Sequence, residues 1–320
     1  MINAMTSRTL LIQRLLLIML LGYLTACTTL QLPKLPTKQQ PIPSSPLNVK
    51  HVVLISVDGL RPDAINRDNA PHIYQLLQQG HYYTHAKTIG RSLTLPSHAS
   101  MLTGLPVDIH RVVKNKPMPG YMKSPSIPTL LAKRDMTSAA FFSKKKMTYL
   151  FSPTQTNYMF GPGINGLEEK DTTAQLTAED FKFMWSSAGY NFSFVHLREP
   201  DRSGHAYGWM SDDYLNRAIP SADNAVGSII KTIQASRRAA TTLVIITADH
   251  GGKNNDHWHG REEDQRIPWI AYYPQLTQNS YSNEWVSTMD TAPTILYLLG
   301  KPIPKNMQGK VVEGFRDEKP

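Results

Sequence analysis

Short runs of consecutive, mostly apolar residues stand out in the pattern of the chain. They occupy residues 52–57, 192–197 and 243–248, and acidic residues follow each run within a few positions. A run of this length that ends abruptly is typical of a strand buried on both faces, as in a parallel sheet. The pattern therefore predicts central strands that carry polar residues at their carboxyl ends.

Helical periodicity lies between and after these runs, at residues 71–79, 127–134, 222–235 and 292–299. Strands that alternate with helices predict an α/β fold with a mostly parallel sheet and helices on both faces. Ligands of such folds bind beyond the carboxyl ends of the strands, which is where the acidic residues fall here.

Residues 105–190 have a different character, with scattered Gly, Pro and Lys and clusters of aromatic residues. Residues 138–142 form the one convincing apolar strand in this stretch. We therefore expect one core segment and a small, irregular lid insertion that covers the site. The three lysines at 144–146 are expected to form a solvated face.

The N-terminal region has the features of a secretory signal. Arg8 and Arg14 precede an apolar run, residues 15–21, that is too short to cross a bilayer. The run ends in Leu-Thr-Ala before Cys27, which resembles the motif at which bacterial signal peptidase cuts before the cysteine is acylated. An ordinary cleaved signal with an incidental cysteine is the alternative.

This motif predicts a signal peptide over residues 1–26, then acylated Cys27 and a Pro-rich tether that reaches residue 49. Thr28 stands where an aspartate would favour retention in the inner membrane. We therefore expect a lipid-anchored protein of the bacterial cell envelope, in the outer membrane and facing the periplasm. The folded domain is predicted over residues 50–304, followed by a polar tail over residues 305–320.

Composition restricts the chemistry of the 320-residue chain. Cys27 is its single cysteine, so a metal ion in the folded domain would be held by histidines and carboxylates. The net charge of +9 suits small anionic substrates, and the sequence has no nucleic-acid-binding motif. Composition leaves the oligomeric state open.

Acidic residues and histidines recur where the predicted strands end. Carboxylate oxygen and imidazole nitrogen are ligands of Zn²⁺, and of Mn²⁺ when less nitrogen is present. Any one of them alone is explained as a helix cap or a structural histidine, but their shared location predicts a metal centre. The candidates are Asp58, Asp201, His205, Asp249, His250, His257 and His259.

A hydroxyl group marks the start of another helical pattern. Thr94 precedes Pro96 and an apolar stretch closed by Gly104, which is typical of a helix N-terminus with Thr94 as its cap. The free N–H groups and positive dipole at such a terminus suit a phosphate group. A threonine hydroxyl is a weak nucleophile, but coordination to a metal ion would activate it without a catalytic triad.

Together these segments resemble the alkaline phosphatase superfamily, most closely its nucleotide pyrophosphatase/phosphodiesterase branch. The resemblance is carried, in family order, by residues 56–63, 94–104, 199–208 and 249–251. It implies an alkaline-phosphatase-like three-layer sandwich with a mostly parallel central sheet.

The resemblance also implies two Zn²⁺ ions per chain, with Mn²⁺ or mixed metals as alternatives. Residues around one ion would be Asp58, Thr94, Asp249 and His250. Residues around the other would be Asp201, His205 and His259. His259 is preferred to His257 because the last ligand of the family is a histidine followed by glycine, and Gly260 fits that pattern.

The implied activity is hydrolysis of a small-molecule phosphate ester, foremost a phosphodiester or nucleotide pyrophosphate, through a phosphorylated Thr94. Ser97, Arg91 and Tyr207 are the expected substrate-binding residues. Ser97 stands where we expect asparagine in nucleotide pyrophosphatases, which weakens the nucleotide assignment.

Other functions share these motifs. A phosphomonoesterase would need an extra cation near phosphate, from Arg91 or a lysine of residues 105–190. A phosphoryl-head-group transferase or hydrolase would use the same threonine chemistry, and a binding lipoprotein would keep the phosphatase fold without activity. A sulfatase is disfavoured because Thr94 and His98 stand where sulfatases have Cys or Ser and Arg.

Overall fold

The computed structural model describes residues 47–164, 166–275 and 280–315. The predicted signal peptide, Cys27 and most of the predicted tether lie outside these residues, as does the end of the C-terminal tail. Among the helices in the described ranges, none has the length and apolar character needed to cross a membrane.

The strands of the described residues form one sheet. In chain order they are β1 (His51–Val57), β2 (His81–Lys87), β3 (Ser138–Phe142), β4 (Tyr158–Phe160), β5 (Phe192–Leu197), β6 (Thr242–Thr247), β7 (Arg266–Ile267), β8 (Trp269–Tyr272) and β9 (Ser280–Ser287). Across the sheet they run in the order β4-β3-β5-β1-β6-β8-β2-β7, and β9 pairs with β2.

The α-helices are α1 (Pro71–Gln79), α2 (Thr94–Thr103), α3 (Val107–His110), α4 (Ile127–Ala132), α5 (Ala174–Ser187), α6 (Glu199–Tyr207), α7 (Ile219–Gln234), α8 (Glu262–Gln265) and α9 (Thr291–Leu298). A π-helical turn over Tyr214–Ala218 leads into α7. Helix α7 packs against α1, α5 and α6, whereas α2 packs against α3 and α9, and α9 also contacts α4.

The centre of the sheet is parallel, as the apolar runs predicted. Strand β1 lies between β5 and β6 and is parallel to both, and β5 continues parallel to β3 and β4. The antiparallel strand β8 follows β6 on the other side. Strands β5 and β6 are buried along their whole length, which explains why they lack an alternating pattern. The predicted α/β class is confirmed.

Residues 105–190 contribute more regular structure than their sequence indicated. Beyond β3, they supply β4, which pairs parallel with β3, and the 14-residue helix α5. The buried face of α5 includes Ala174, Thr177 and Ala178 as well as Phe181 and Trp185. Small and hydroxylated residues give this face a weak apolar signal, so the sequence did not indicate the helix.

The topology brings the candidate residues to one edge. Asp58 directly follows β1, and Asp249 and His250 follow β6 after one intervening residue. Asp201 lies in the first turn of α6, which begins shortly after β5. Because these three strands are parallel neighbours, their carboxyl ends meet, and the side chains that follow them converge.

Candidate active site

Three buried aspartates form the centre of the site. Asp58 and Asp249 are completely buried, and Asp201 is 4% exposed. The Asp201 N–H donates to the Asp58 carbonyl at 2.9 Å, and the Gly59 N–H donates to Asp249 Oδ1 at 3.3 Å. Backbone contacts between the segments therefore hold the carboxylates together.

His250 lies among these carboxylates. Its Nε2 is 3.4 Å from Asp58 Oδ1, 3.6 Å from Asp201 Oδ1 and 3.3 Å from Asp249 Oδ2. Its Nδ1 is 2.8 Å from the Gly251 carbonyl, which can only accept, so Nδ1 carries a proton. In the neutral ring the lone pair of Nε2 then points toward carboxylate oxygens, an arrangement that a cation would stabilise. Asp58, Asp201 and His250 form one group that could hold a metal ion.

Asp201 also belongs to a second such group, with His205 and His257. The Nε2 atoms of the two histidines are 3.2 Å apart, and those of His205 and His257 are 3.4 and 3.7 Å from Asp201 Oδ1. Their Nδ1 atoms donate to the carbonyls of Asn255 and Ser92, so the neutral form of either ring directs its Nε2 lone pair to this point, while Asp201 raises the pKa of His205.

The donor atoms fit a metal ion. Asp58 Oδ1, Asp201 Oδ1 and Asp249 Oδ2 are buried and accept no hydrogen bond from any residue that the structure describes. A buried acceptor without a partner is costly, and a bound cation removes that cost. Carboxylate oxygen combined with imidazole nitrogen is a donor set that suits zinc.

Thr94 is the first residue of α2 and is 1% exposed. Leu93 is the N-cap, and no side chain caps this helix, so the expected capping role of Thr94 is wrong. Thr94 Oγ1 instead lies 3.5 Å from His250 Nε2. The hydroxyl is thereby placed at the edge of the candidate metal centre.

His98 connects the first turn of α2 to β1. Its Nδ1 donates to the Thr94 carbonyl and its Nε2 accepts from the Ser56 hydroxyl, each at 2.8 Å. Burial lowers the pKa of His98 to about 4 against the opposing effect of Asp249, so the ring is neutral at pH 7. His98 therefore fixes the backbone that carries Thr94.

The expectation of a solvated lysine face at residues 144–146 is wrong for two of the three lysines. Lys144 is 6% exposed, and its Nζ lies 2.7 Å from Asp58 Oδ2 and 2.5 Å from Asp201 Oδ2. Lys146 donates to Asn115 Oδ1 at 3.1 Å, whereas Lys145 pairs with the exposed Glu169. The buried acids attract the ammonium groups, and a run of lysines in the sequence does not reveal such partners.

Lys144 determines the charge state of its partners. Burial would raise the pKa of Asp58, but Lys144 and His196 hold that pKa well below its usual range. Burial and Asp58 would raise the pKa of Asp201, but Lys144 and His205 lower it. Burial would lower the pKa of Lys144, but both carboxylates raise it. Asp249 differs, because burial and Asp58 raise its pKa.

Asn115 is a site residue that the sequence did not indicate. Its Oδ1 accepts from the Leu95 N–H at 3.0 Å and from Lys146 Nζ at 3.1 Å, directly beside Thr94. The residue lies in an irregular stretch without periodicity, so no sequence pattern pointed to it.

The predicted substrate-binding residues differ in their exposure to solvent. Ser97 is completely buried, and its hydroxyl accepts from Thr88 Oγ1 at 3.0 Å. Arg91 is exposed just before α2, and Tyr207 is 62% exposed at the end of α6. Their roles in substrate binding therefore stay predictions.

The preference for His259 over His257 is revised. The His259 side chain is 53% exposed, and its Nε2 lies 3.2 Å from Asp256 Oδ2, outside both groups described above. His257 lies beside Asp201 and His205, in the place that the sequence assigned to His259. The direction in which each side chain leaves the loop, and not the His-Gly motif, determines which histidine lies beside Asp201.

Comparison with known proteins decides the family. The sequence model of the family "Type I phosphodiesterase / nucleotide pyrophosphatase" matches residues 52–301. The chain belongs to this family. The resemblance inferred from the motifs is confirmed over nearly the whole folded domain.

Curated relatives of this phosphodiesterase-family chain are distant. Human bis(5'-adenosyl)-triphosphatase ENPP4 is 23% identical over 217 residues, which cover 62% of this chain and 47% of the relative. GPI ethanolamine phosphate transferase 1 of Saccharomyces cerevisiae is 24% identical over 342 residues, covering 89% of this chain and 35% of the relative. The chain thus spans half or less of the length of these relatives.

Solved structures share its fold. Murine ectonucleotide pyrophosphatase/phosphodiesterase 5 aligns with a TM-score of 0.63 and 15% identity, over 80% of this chain and 97% of that chain. A putative sulfatase from Bacteroides thetaiotaomicron aligns with a TM-score of 0.68 and 16% identity, over 85% and 75%. These similarities confirm the alkaline-phosphatase-like fold.

Proposed function

We propose that this protein is a metal-dependent hydrolase of phosphate esters, foremost phosphodiesters or pyrophosphates, with Thr94 as its nucleophile. One observation carries the proposal: the buried Thr94 hydroxyl lies 3.5 Å from His250 Nε2, which faces oxygens of Asp58, Asp201 and Asp249. Membership of the type I phosphodiesterase family supports phosphate-ester chemistry.

The side chains suit two zinc ions. Residues proposed to hold one ion are Asp58, Thr94, Asp249 and His250. Residues proposed to hold the other are Asp201, His205 and His257. When bound, such ions lower the pKa of a hydroxyl group and neutralise charge on phosphate.

Side chains of the protein hold the Thr94 hydroxyl in place for the reaction with the phosphate ester. The Thr94 hydroxyl gives up its proton to solvent, and its oxygen forms a bond to phosphorus as the bond to the leaving oxygen breaks; the leaving oxygen takes up a proton. Water then cleaves the phospho-threonine, which restores the Thr94 hydroxyl and releases the phosphate product. Thr94 starts α2, whose N-terminal dipole favours the phosphate. His98 and Asn115 bind the C=O and the N–H of the peptide group that follows Thr94, and Lys146 donates to the same Asn115 oxygen.

Exposed aromatic residues beside the candidate metal centre favour a substrate whose phosphate carries a second organic group. Trp258 is 48% exposed and stacks on His205, with ring centroids 6.1 Å apart. Tyr207 follows His205 along α6 and is also exposed. A flat aromatic surface of this kind suits a nucleobase or an apolar leaving group.

Lys146 favours a phosphomonoesterase as the second candidate. Its side chain is held at Asn115, beside the start of α2. Burial, followed by the charge of Lys144, lowers the pKa of Lys146, and the anionic phosphate of a bound monoester would favour its charged form. A monoester carries more negative charge than a diester, so an added cation near the phosphate would stabilise it selectively.

A comparison of model substrates tests the proposal. Zinc-loaded protein comprising residues 28–320 would be assayed with p-nitrophenyl phosphate, bis-p-nitrophenyl phosphate and the p-nitrophenyl ester of thymidine 5′-monophosphate. We expect diester cleavage that Thr94→Ala lowers at least about 1000-fold, because the nucleophile is lost. Thr103→Ala, at the other end of α2, is the matched control and should retain activity.

The possible outcomes separate the candidates. If Thr94→Ala is as active as the wild-type protein, Thr94 is not the nucleophile. Detection of phosphate on Thr94 in acid-quenched protein would support Thr94 as the nucleophile. A preference for the simple monoester would establish the phosphatase instead. Zinc binding without turnover of any of these esters would favour a head-group enzyme or a binding protein.

We also propose that acylated Cys27 anchors the protein in the outer membrane, facing the periplasm. The support is the sequence of the signal region, which lies outside the described residues. The full chain expressed in a bacterium should incorporate labelled palmitate, and Cys27→Ser should abolish the label and release the protein from membranes. An unlabelled wild-type protein would contradict the anchor.

A further inference from the structure

Lys144 bridges two carboxylates of the candidate metal centre: Asp58 belongs to one candidate metal group, and Asp201 belongs to both. Its Nζ lies 2.7 Å from Asp58 Oδ2 and 2.5 Å from Asp201 Oδ2. Both contacts are made to the Oδ2 atoms. The histidines of the site face the other oxygen of each carboxylate, because His250 Nε2 is 3.4 Å from Asp58 Oδ1 and 3.6 Å from Asp201 Oδ1.

The remaining contacts preserve this division between the oxygens. Asp58 Oδ2 also binds His196 Nε2 at 2.9 Å, while Asp58 Oδ1 and Asp201 Oδ1 have no hydrogen-bond partner among the described residues. Each carboxylate therefore has one oxygen engaged by protein and one oxygen left for a metal ion. Lys144 does not occupy the place of the ion, since it lies on the oxygens that the histidines of the two candidate metal groups do not face.

The number of available oxygens influences which ion binds. Zinc in proteins takes about four ligands in a tetrahedral arrangement and is satisfied by one oxygen from each carboxylate. Ions that prefer octahedral, oxygen-rich surroundings, such as manganese, gain when a carboxylate offers additional oxygen. A lysine that binds the second oxygen of each of two aspartates keeps these oxygens from binding the metal ion.

We propose that Lys144 is a positioning residue that selects the metal ion: it holds Asp58 and Asp201 to single-oxygen binding and so favours zinc over manganese. This inference rests on the proposed function, since it requires metal ions at the site. It adds a determinant of metal identity that lies outside the ligands themselves, at the end of β3.

The test compares Lys144→Met with Lys145→Met in the full chain, solubilised in mild detergent and stripped of metal. Lys145 is the matched control because it is the next residue and pairs with exposed Glu169. Competition with a chromogenic chelator gives the dissociation constants of zinc and manganese. In Lys144→Met we expect the ratio of the manganese constant to the zinc constant to fall at least about tenfold. In Lys145→Met the ratio should stay at the wild-type value.

X-ray absorption of the zinc-loaded wild-type protein provides a second measurement that does not depend on the variant folding. We expect about four nitrogen and oxygen ligands per zinc, without the scattering of a carboxylate bound through both oxygens.

Lys144→Arg, which keeps the positive charge and its donors, should retain the wild-type ratio of dissociation constants.

The outcomes distinguish this inference from the proposed function. If Lys144→Met weakens both ions equally, the lysine is only structural and the inference is overturned. Wild-type zinc bound through both oxygens of the aspartates overturns it as well. A wild-type protein that binds neither ion overturns the proposed function, and the inference with it.

Discussion

His257 and His259 are separated by one residue, yet their surroundings differ completely. His257 is 2% exposed, and its ring stacks on His250 with centroids 3.7 Å apart. Burial, reinforced by the neighbouring His250, lowers the pKa of His257 to about 3, so its ring is neutral and its Nε2 can bind a metal ion. His259 lies in solvent beside Asp256.

This difference predicts the effects of substitution. His257→Ala should weaken zinc binding by at least about 100-fold, because it removes a ligand as well as a hydrogen-bonded support. His259→Ala should leave the zinc dissociation constant within about twofold of wild type, as expected for an exposed group. Chelator competition measures both. A larger loss in His259→Ala would restore the assignment that the sequence motif favoured.

At the scale of elements, the site depends on close contact between the end of β1 and the start of α6. Gly59 adopts a φ of +74°, and a Cβ there would lie 2.9 Å from Asp201 Cα. A side chain at this position would therefore push apart the segments that carry Asp58 and Asp201. Helix α6 can approach β1 only because residue 59 is glycine.

Gly120 offers a matched comparison, since its φ is also +74° but no atom lies within 4 Å of its Cβ position. Gly120→Ala should cost only the backbone strain, about 1 to 3 kcal/mol of unfolding free energy. Gly59→Ala should cost a further ~1 to 3 kcal/mol because of the steric overlap, and it should weaken zinc binding. Urea unfolding measures the difference. Equal losses in the two variants would show that the contact with Asp201 is unimportant.

At the scale of the whole molecule, the candidate metal ligands tie together distant parts of the chain. They follow β1, β5 and β6 and include residues of α2 and α6. The unfolded chain cannot bring these residues together, so a metal ion should bind the native state in strong preference. Metal binding should therefore stabilise the entire domain rather than one loop.

Zinc at about 100 times its dissociation constant should raise the unfolding free energy by about 2.7 kcal/mol for each occupied site. Asp201→Asn should lose most of this gain, because Asp201 belongs to both groups. Thermal unfolding with and without a chelator provides the measurement. An unfolding midpoint that does not respond to zinc would contradict the metal centre.

How well each element and site residue can be predicted from the sequence depends on how strong a pattern its neighbouring residues form. Buried strands such as β1 and β6 are visible as apolar runs, and Asp58 and Asp249 are visible as the acids that end them. Helix α5 was missed because its buried face is rich in alanine and threonine. Lys144 and Asn115 were missed because their roles depend on partners far away in the chain.

The sequence by itself determined the α/β class, the family, the acids at the strand ends and the threonine at the helix start. Each of these depends on neighbouring residues or on ordered motifs, which a linear pattern records. Only the tertiary structure showed that His257, and not His259, lies beside Asp201 and His205. It also showed that Ser97 is bound to Thr88 and that Lys144 bridges two aspartates. Those contacts depend on the direction in which side chains leave their elements and on charges brought together by folding.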